Sequence, residues 1–245
     1  MAFIPRIYVA SDRIADGKAY IDGSDASHVL RVLRKELGDE LHICDMHGNS
    51  YNATIVEITR DGLYALLGEP EKQNNEMPFR VSVYQCFPKG DKLDTVIQKA
   101  VELGAYEIVA VMSERCVARP DSKAFAKRLE RLKKISESAA AQCGRSIIPE
   151  VRGIIGYAEA IKEISEKDIG FICYEGDGTL PIKTLLSETP QTIGFLIGPE
   201  GGLSERETAT AKENGISLAG LGKRILRTET ASSYVLSAIS VLLEM

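Results

Sequence analysis

No apolar run in this sequence is long enough to cross a membrane as a helix. The first residues, MAFIPRIYVASDR, carry Pro5 and charges where a secretory signal peptide needs an unbroken apolar stretch. Hydrophobic residues nevertheless make up 44% of the 245 residues, which suffices for a sizeable core. We therefore expect a cytoplasmic protein with one large domain or two ordinary ones.

Clusters of metal-binding or disulfide-forming residues are also missing. The three histidines all lie in the first fifth of the chain, without the spacing to cysteines or carboxylates that metal sites use. The cysteines are odd in number, widely spread and never arranged as C-x-x-C, which favours reduced thiols and no metal site. They are Cys44, Cys86, Cys116, Cys143 and Cys173.

Basic residues are fewer than acidic ones, and the formal net charge is −5. This charge argues against a general, charge-driven nucleic-acid binder. One segment runs against this balance, because seven basic and two acidic residues lie between Arg119 and Lys134. An acidic protein with such a patch can still contact phosphate on one face. A merely solvated helix surface explains the same pattern.

The sequence also lacks the signatures of nucleotide phosphate binding. No G-x-G-x-x-G follows a predicted strand. Gly222-Lys223 is not a phosphate loop, because Ser217 occupies the required glycine position and Arg224 stands where Ser or Thr would bind magnesium. A ligand pocket in this chain is therefore expected to work without a phosphate cradle.

Two glycine-containing stretches near the C-terminus are instead the main candidates for a site: TIGFLIGPEGG at 192–202 and LAGLGKRILRTETA at 218–231. Each begins as a short apolar run, typical of a buried strand, and continues through a loop into a predicted helix. Two strand ends with loops on the same sheet edge form a crevice, where α/β proteins bind ligands. Ordinary strand-to-helix turns are the alternative.

The rest of the chain divides into two parts. Residues 1–70 contain short strand-like segments separated by turn signals and one predicted helix over 25–34, which favours a small β-barrel. Residues 71–78 are polar and aperiodic, and are predicted to be a linker. From residue 79 strands and helices alternate, which predicts an α/β domain, 79–245, with a mostly parallel sheet.

The helix predicted over 231–243 is apolar on nearly all sides. A helix of this kind at a chain end usually packs against more than its own sheet, so we predict that it contributes to a homodimer interface. Burial entirely within one chain is the alternative. Its apolar residues include Val235, Leu236, Ala238, Ile239, Val241, Leu242 and Leu243.

Five strings carry a family resemblance: HVLRVLR (28–34), KGDKLDTVIQKAVELGA (89–105), AAAQCGR (139–145), IGPEGGLSERE (197–207) and LGKRILRTETA (221–231). They resemble the E-type small-subunit ribosomal RNA methyltransferases of the SPOUT superfamily. The resemblance implies a PUA-like β-barrel that helps hold RNA, followed by a SPOUT domain with a C-terminal trefoil knot, and a homodimer. The implied reaction is methylation of N3 of a uridine corresponding to uracil-1498 in 16S ribosomal RNA of the small subunit.

The cofactor implied by the resemblance is S-adenosylmethionine (SAM). A cationic sulfonium and a flat adenine need no phosphate cradle, so apolar strand ends with backbone polar groups are suitable. The residues expected around SAM are Tyr174, Glu175, Leu196, Gly198, Gly202, Leu221, Gly222, Ile225, Leu226 and Thr230.

Methyl transfer to N3 requires alignment and also a proton acceptor, because N3 of uracil is protonated at neutral pH. Glu229 is the candidate acceptor, and Arg227 is the candidate stabiliser of developing negative charge. A structural ion pair explains these two residues about as well without the resemblance. The PUA-like barrel that the resemblance implies makes Arg6, Arg31 and Arg34 candidates for phosphate contacts, while a solvated helix face is the alternative for Arg31 and Arg34. Gln142 and Arg145 are the candidates to orient the uracil or its phosphates.

Two other functions fit these residues. A related SPOUT enzyme that acts on a ribose 2'-hydroxyl or on tRNA would share the pocket. A non-catalytic RNA-binding factor in ribosome assembly would share the barrel and the basic helix, but would have no affinity for SAM.

Overall fold

A computed structural model of the chain describes residues 4–71, 75–187 and 189–245. The chain forms two compact units: the first is Met1–Glu76 with Ala140–Ile148, and the second is Met77–Ala139 with Pro149–Met245. Residues 72–74 of the predicted linker, 71–78, lie outside the described residues. Nothing in the sequence had indicated that 140–148 return to the first unit.

The first unit is built on a six-stranded sheet, in agreement with the predicted small β-domain. Its strands are β1 (Arg6–Tyr8), β2 (Ile14–Ala15), β3 (Lys18–Asp22), β4 (Glu40–Cys44), β5 (Ser50–Ile58) and β6 (Gly62–Pro70). Their order in space is β1, β4, β5, β6, β3, β2. Only β1 and β4 pair in parallel among these neighbours.

Alternating side chains give this sheet one apolar face. Leu41 and Ile43 of β4 are fully buried, as are Ile55 of β5 and Leu63 of β6, and they form one cluster. Helix α1 (Gly23–Ser27) covers part of the cluster through Ala26. Burial of this face explains why the strand register is specified, since a shift by one residue would expose the cluster.

The helix predicted over 25–34 exists but has different ends. Helix α1 continues as a π-helical turn, His28–Val32, and the amide of Lys35 donates to the Val29 carbonyl at 3.0 Å. Arg34 has a φ of 53°, which is left-handed and cannot continue a right-handed helix. The apolar periodicity therefore located the helix, while backbone geometry set its end.

The second unit contains a seven-stranded sheet in which every pairing is parallel. Its strands are β7 (Arg80–Cys86), β8 (Glu107–Met112), β9 (Glu150–Gly156), β10 (Ile169–Cys173), β11 (Leu180–Pro181), β12 (Thr192–Ile197) and β13 (Ser217–Gly220). The order in space is β11, β13, β10, β12, β7, β8, β9. This arrangement confirms the α/β prediction.

Helices follow most of these strands. They are α2 (Lys92–Glu102), α3 (Ser122–Cys143), α4 (Tyr157–Ser165), α5 (Ile182–Leu185), α6 (Glu205–Glu213) and α7 (Thr228–Ile239). Parallel strands need such crossovers, and the helices cover the sheet so that β12 is buried from Ile193 to Ile197. Among the described residues, no helix has both the length and the apolar character of a membrane span.

The terminal helix starts earlier than predicted, at Thr228 rather than at 231, and continues as a π-helical turn, Ser240–Glu244. Its residues Val235, Leu236 and Ile239 are fully buried within this chain. Tyr234 and Val241 remain exposed, at 44% and 60%. One face of α7 thus packs internally against α2, and another face is apolar and uncovered.

Candidate active site

A cavity of about 480 Å³ lies at the carboxyl edge of the parallel sheet, where three adjacent strands end. Cys173 closes β10, Ile197 closes β12 and Gly220 closes β13, and all three line the cavity. The loops that follow these strands form its walls. The two glycine-containing stretches therefore meet, as the sequence predicted for strands that end on one edge.

Strand register brings these ends together. Ile172 of β10 pairs with Leu196 of β12 on one side and with Leu218 of β13 on the other. The rings of Phe171 and Phe195 stack, with centroids 5.8 Å apart, next to this pairing. Because β12 and β13 both pair with β10 in this register, the loops that follow them begin at the same level of the sheet edge.

The loop after β12 is a tight turn held by its own backbone. The amide of Gly202 donates to the Pro199 carbonyl at 2.9 Å, and Gly202 has a φ of +68°. The left-handed φ favours glycine, and an added Cβ atom would lie 2.6 Å from Oε1 of the exposed Glu175 side chain, which would have to move. The loop then enters α6 through a capping box formed by Ser204 and Glu207, as the S-x-x-E pattern predicts.

Glu207 also fixes this loop to the end of β8. Its Oε2 accepts the amide of Ser204 at 2.9 Å, and its Oε1 accepts the amide of Glu114 at 2.7 Å. The hydroxyl of Ser204 donates to Glu114 at 2.6 Å, and Arg115 donates to the Gly201 carbonyl at 3.1 Å. Charge-assisted hydrogen bonds of this kind make the cavity wall rigid.

Thr228 links the two glycine loops. Its hydroxyl donates to the Gly198 carbonyl at 2.8 Å, and it accepts Nε2 of Gln85 at 2.8 Å. Gln85 is fully buried on β7 and Thr228 is 6% exposed. A hydrogen-bonded chain from β7 through α7 to the loop after β12 therefore defines the floor of the cavity.

An acid and base cluster lies at the cavity mouth. Nζ of Lys92, a cavity residue, is 2.8 Å from Oε1 of Glu200 and 3.8 Å from Oε2 of Glu229. Partial burial alone would raise the pKa of Glu200, but hydrogen bonds from Lys92 and the Lys89 amide outweigh it and lower the pKa. Oε2 of Glu229 is buried and has no hydrogen-bond partner within the described parts of the chain.

Most of the residues expected around a cofactor line this one cavity. They are Tyr174, Glu175, Gly198, Gly202, Leu221, Gly222, Ile225 and Leu226, together with the candidate Arg227. Leu196 instead lies fully buried within β12, and Thr230 is exposed on α7. Glu229 is not among the lining residues, but its Oε2 lies 3.8 Å from Nζ of Lys92, which lines the cavity.

The expected RNA contacts all belong to the first unit, where Arg6 donates to the Arg145 carbonyl at 3.5 Å. Arg31 and Arg34 are exposed in the first unit, while Gln142 is exposed on α3. Arg6 donates to Sγ of Cys44 at 3.2 Å. Arg145 is only 3% exposed and forms an ion pair with Glu76, so its side chain supports the first unit.

The basic segment between Arg119 and Lys134 is partly neutralised. Arg131 lies 2.6 Å from Asp94 and also pairs with Asp91, and Arg128 lies 3.6 Å from Asp94. Arg128 also stacks over the ring of Phe87. Counting basic residues in the sequence therefore overstated the charge that this helix presents to a polyanion.

Several cavity residues were missed by sequence reasoning. Lys92 and Thr228 are the most informative of them. Lys92 starts a helix more than one hundred residues before its partner Glu200, so the local sequence gives no sign of the contact. Thr230, two residues further along, was predicted in place of Thr228. The remaining missed cavity residues are Cys173, Thr179, Ile197, Pro199, Glu200, Leu203, Gly220, Lys223, Arg224 and Ala231.

No group of three or more histidine, cysteine or carboxylate side chains that could hold a metal ion occurs in the described ranges. The cavity is lined by glycines and apolar side chains together with four basic and two acidic residues. A mixed lining of this kind suits an organic ligand.

Comparisons with known proteins agree with this geometry. Residues 75–240 match the family model of an RNA methyltransferase domain, and residues 21–67 match that of an RNA methyltransferase PUA domain. A curated relative, ribosomal RNA small subunit methyltransferase E of Bacillus subtilis, is 34% identical over 226 residues, covering 90% of this chain and 88% of its own.

Solved structures give the same result. A ribosomal RNA small subunit methyltransferase E from Neisseria gonorrhoeae, bound to S-adenosyl methionine, is 32% identical with a TM-score of 0.86, covering 98% of both chains. A structure from Legionella pneumophila with bound cofactor SAM is 27% identical with a TM-score of 0.85, again covering 98% of both chains. From its fold, its cavity and these matches, the chain belongs to the ribosomal RNA small subunit methyltransferase E family.

Proposed function

We propose that this protein transfers a methyl group from SAM to N3 of a uridine in 16S ribosomal RNA of the small subunit, at a position corresponding to uracil-1498. The observation that carries the proposal is the cavity where three parallel strands end, with the carboxylate of Glu229 next to Lys92 of its lining. The names of the relatives and the SAM bound to two of them support it.

The cavity residues fit SAM by shape. A Cβ at Gly220 would lie 2.7 Å from Oγ1 of Thr179, and one at Gly202 would meet Glu175, so glycine keeps both walls open to a flat ring. Leu221 and Leu226 offer apolar surface, and the exposed carboxylate of Glu175 complements a cation. When bound, SAM supplies an electrophilic methyl group on a sulfonium.

Two side chains of this chain are proposed to assist the reaction at N3. Glu229 accepts the N3 proton, since its side chain is 21% exposed and its Oε2 has no hydrogen-bond partner within the described residues. Arg227 lines the cavity two residues before it, at the N-cap of α7, and offsets the negative charge that develops on the uracil oxygens. Alignment of N3 with the methyl carbon contributes most of the remaining rate enhancement.

The target uridine must be unpaired or extruded, because N3 lies on the Watson-Crick edge. The residues proposed to contact RNA are Arg6, Arg31, Arg34 and Gln142. The buried Arg145 is proposed to act indirectly, by its ion pair with Glu76 in the first unit. Several spaced cationic groups suit an acidic protein that binds a structured particle, where they engage together.

The assembly is also part of the proposal. We infer a homodimer in which the uncovered apolar side chains Tyr234, Val241 and Leu242 are buried. A C-terminal trefoil knot that encloses the cavity, and a cytoplasmic location where small subunits assemble, complete the proposed description.

The test uses purified protein, SAM labelled in its methyl group and small ribosomal subunits from cells that lack the gene. Digestion of the RNA to nucleosides and mass analysis should give N3-methyluridine. Label on a ribose 2'-hydroxyl or on tRNA would replace the proposed target with that of a related enzyme. Absence of both label and SAM binding by calorimetry would leave the non-catalytic RNA-binding role.

A further inference from the structure

Lys92 is the only described residue that forms ion pairs with carboxylates of both glycine-containing stretches, 192–202 and 218–231. It is the first residue of α2, its side chain is 36% exposed, and it lines the cavity. Glu200 comes from the loop after β12 and Glu229 from the first turn of α7. One ammonium group therefore joins the two walls at the mouth.

The two contacts of Lys92 differ in kind. Nζ to Oε1 of Glu200 is 2.8 Å, a charge-assisted hydrogen bond, and the Lys89 amide donates to the same oxygen at 3.1 Å. Nζ to Oε2 of Glu229 is 3.8 Å, which is too long for a hydrogen bond. Lys92 is thus held by Glu200, and only its charge acts on Glu229.

This division has a chemical consequence. A carboxylate whose lone pairs are taken by a lysine is a poor proton acceptor, whereas a buried carboxylate with no cation nearby is costly to keep ionised. Glu229 has a cation within reach and an oxygen without a hydrogen-bond partner in the described structure. Its charge is offset, and no hydrogen bond from Lys92 occupies its lone pairs.

We propose that Lys92 is a positioning residue for the methyl transfer: anchored on Glu200, it holds the Glu229 carboxylate beside the cavity by its charge and forms no hydrogen bond to it. This role rests on the proposed function. It predicts that Lys92 acts on turnover through Glu229 and contributes less to SAM affinity.

The experiment compares Lys92→Met, Lys92→Arg and the control Lys99→Met in the full-length protein. Lys99 lies on the same helix and pairs only with Glu102 in the described structure, away from the cavity. We expect Lys92→Met to lower kcat by about 10- to 100-fold with a smaller change in KM for RNA and in Kd for SAM. Lys92→Arg should restore at least part of kcat, and Lys99→Met should match the wild type.

A double-mutant cycle with Glu229→Gln separates this role from general structural support. If Lys92 acts through Glu229, Lys92→Met will slow turnover much less in the Glu229→Gln background than in the wild type. Equal factors in both backgrounds, or normal kcat in Lys92→Met, overturn the inference while leaving the proposed function intact. A wild-type protein that transfers no methyl group to RNA overturns the proposed function, and the role of Lys92 with it.

Discussion

The hydroxyl of Thr228 donates a 2.8 Å hydrogen bond to the carbonyl of Gly198, across thirty positions of sequence and between the two glycine loops. Nε2 of Gln85 donates a hydrogen bond to the same hydroxyl, also at 2.8 Å. Both side chains are buried, so each lost hydrogen bond leaves a polar group without water to replace its partner. The shape of the cavity floor depends on this pair.

Thr228→Val should therefore lower the free energy of unfolding by about 1–3 kcal/mol and weaken SAM binding, because it leaves the Gly198 carbonyl unpaired. Thr228→Ser should retain both properties, since it keeps the hydroxyl. Thr230→Val, at an exposed position on the same helix, is the control. Denaturant unfolding and calorimetry measure the two effects, and equal behaviour of the Val variants at 228 and 230 would contradict this account.

Gly202→Ala should weaken SAM binding more than Gly178→Ala. Both glycines have left-handed φ values, +68° and +77°, so both variants incur backbone strain of about 1–2 kcal/mol. Of the two, only Gly202→Ala places a Cβ close to another group, 2.6 Å from Oε1 of Glu175, so this exposed side chain of the cavity must move; at Gly178 the nearest atom is 3.8 Å away. Thermal unfolding should show similar losses of stability, and SAM affinity should fall only for Gly202→Ala.

Arg227→Ala and Glu229→Gln should leave the fold intact and lower turnover on RNA, by about 100-fold or more for the proton acceptor. Circular dichroism and SAM calorimetry report on fold and cofactor binding, and single-turnover kinetics reports on the chemical step. Wild-type rates in both variants would remove these residues from the mechanism.

An ion pair on the second unit should make stability depend on acid pH. Arg152 donates to both carboxylate oxygens of Glu163 at 2.7 Å, and Tyr84 donates to one of them at 2.9 Å. The hydrogen bonds from Arg152, more than any other cause, lower the pKa of Glu163 from 4.5. The stabilisation is complete above that unfolded value and is lost as pH falls through the lower folded value.

Arg152→Met should consequently reduce the free energy of unfolding by about 1.5–3 kcal/mol at neutral pH. The difference from the wild type should shrink as pH falls below about 4.5. Arg206→Met, at an exposed position of α6, serves as the control. Urea unfolding between pH 3 and pH 7 measures the effect, and a difference that is independent of pH would refute this role for the pair.

Local sequence predicted the elements and the meeting of the loops, because both depend on periodicity and on the parallel sheet. The S-x-x-E pattern gave the start of α6, and Gly198 and Gly202 were placed on the cavity. Local sequence could not predict that Lys92 lines the cavity or that Gln85 holds the cavity residue Thr228, because both depend on the tertiary packing of α2 and β7. Nor could it give the burial of Arg145, whose partner Glu76 lies 69 positions away.

The first unit is assembled from two separate pieces of chain, Met1–Glu76 and Ala140–Ile148. Tyr8 donates to the Arg145 carbonyl at 2.9 Å, and Glu76 accepts the amide of Ser146 at 3.0 Å, so the later piece is stitched into the earlier one. A fragment ending at residue 76 would lack the Arg145 carbonyl and the Ser146 amide that form these hydrogen bonds. During synthesis, the first unit therefore cannot finish folding until two of the seven strands of the parallel sheet, β7 and β8, have already been made.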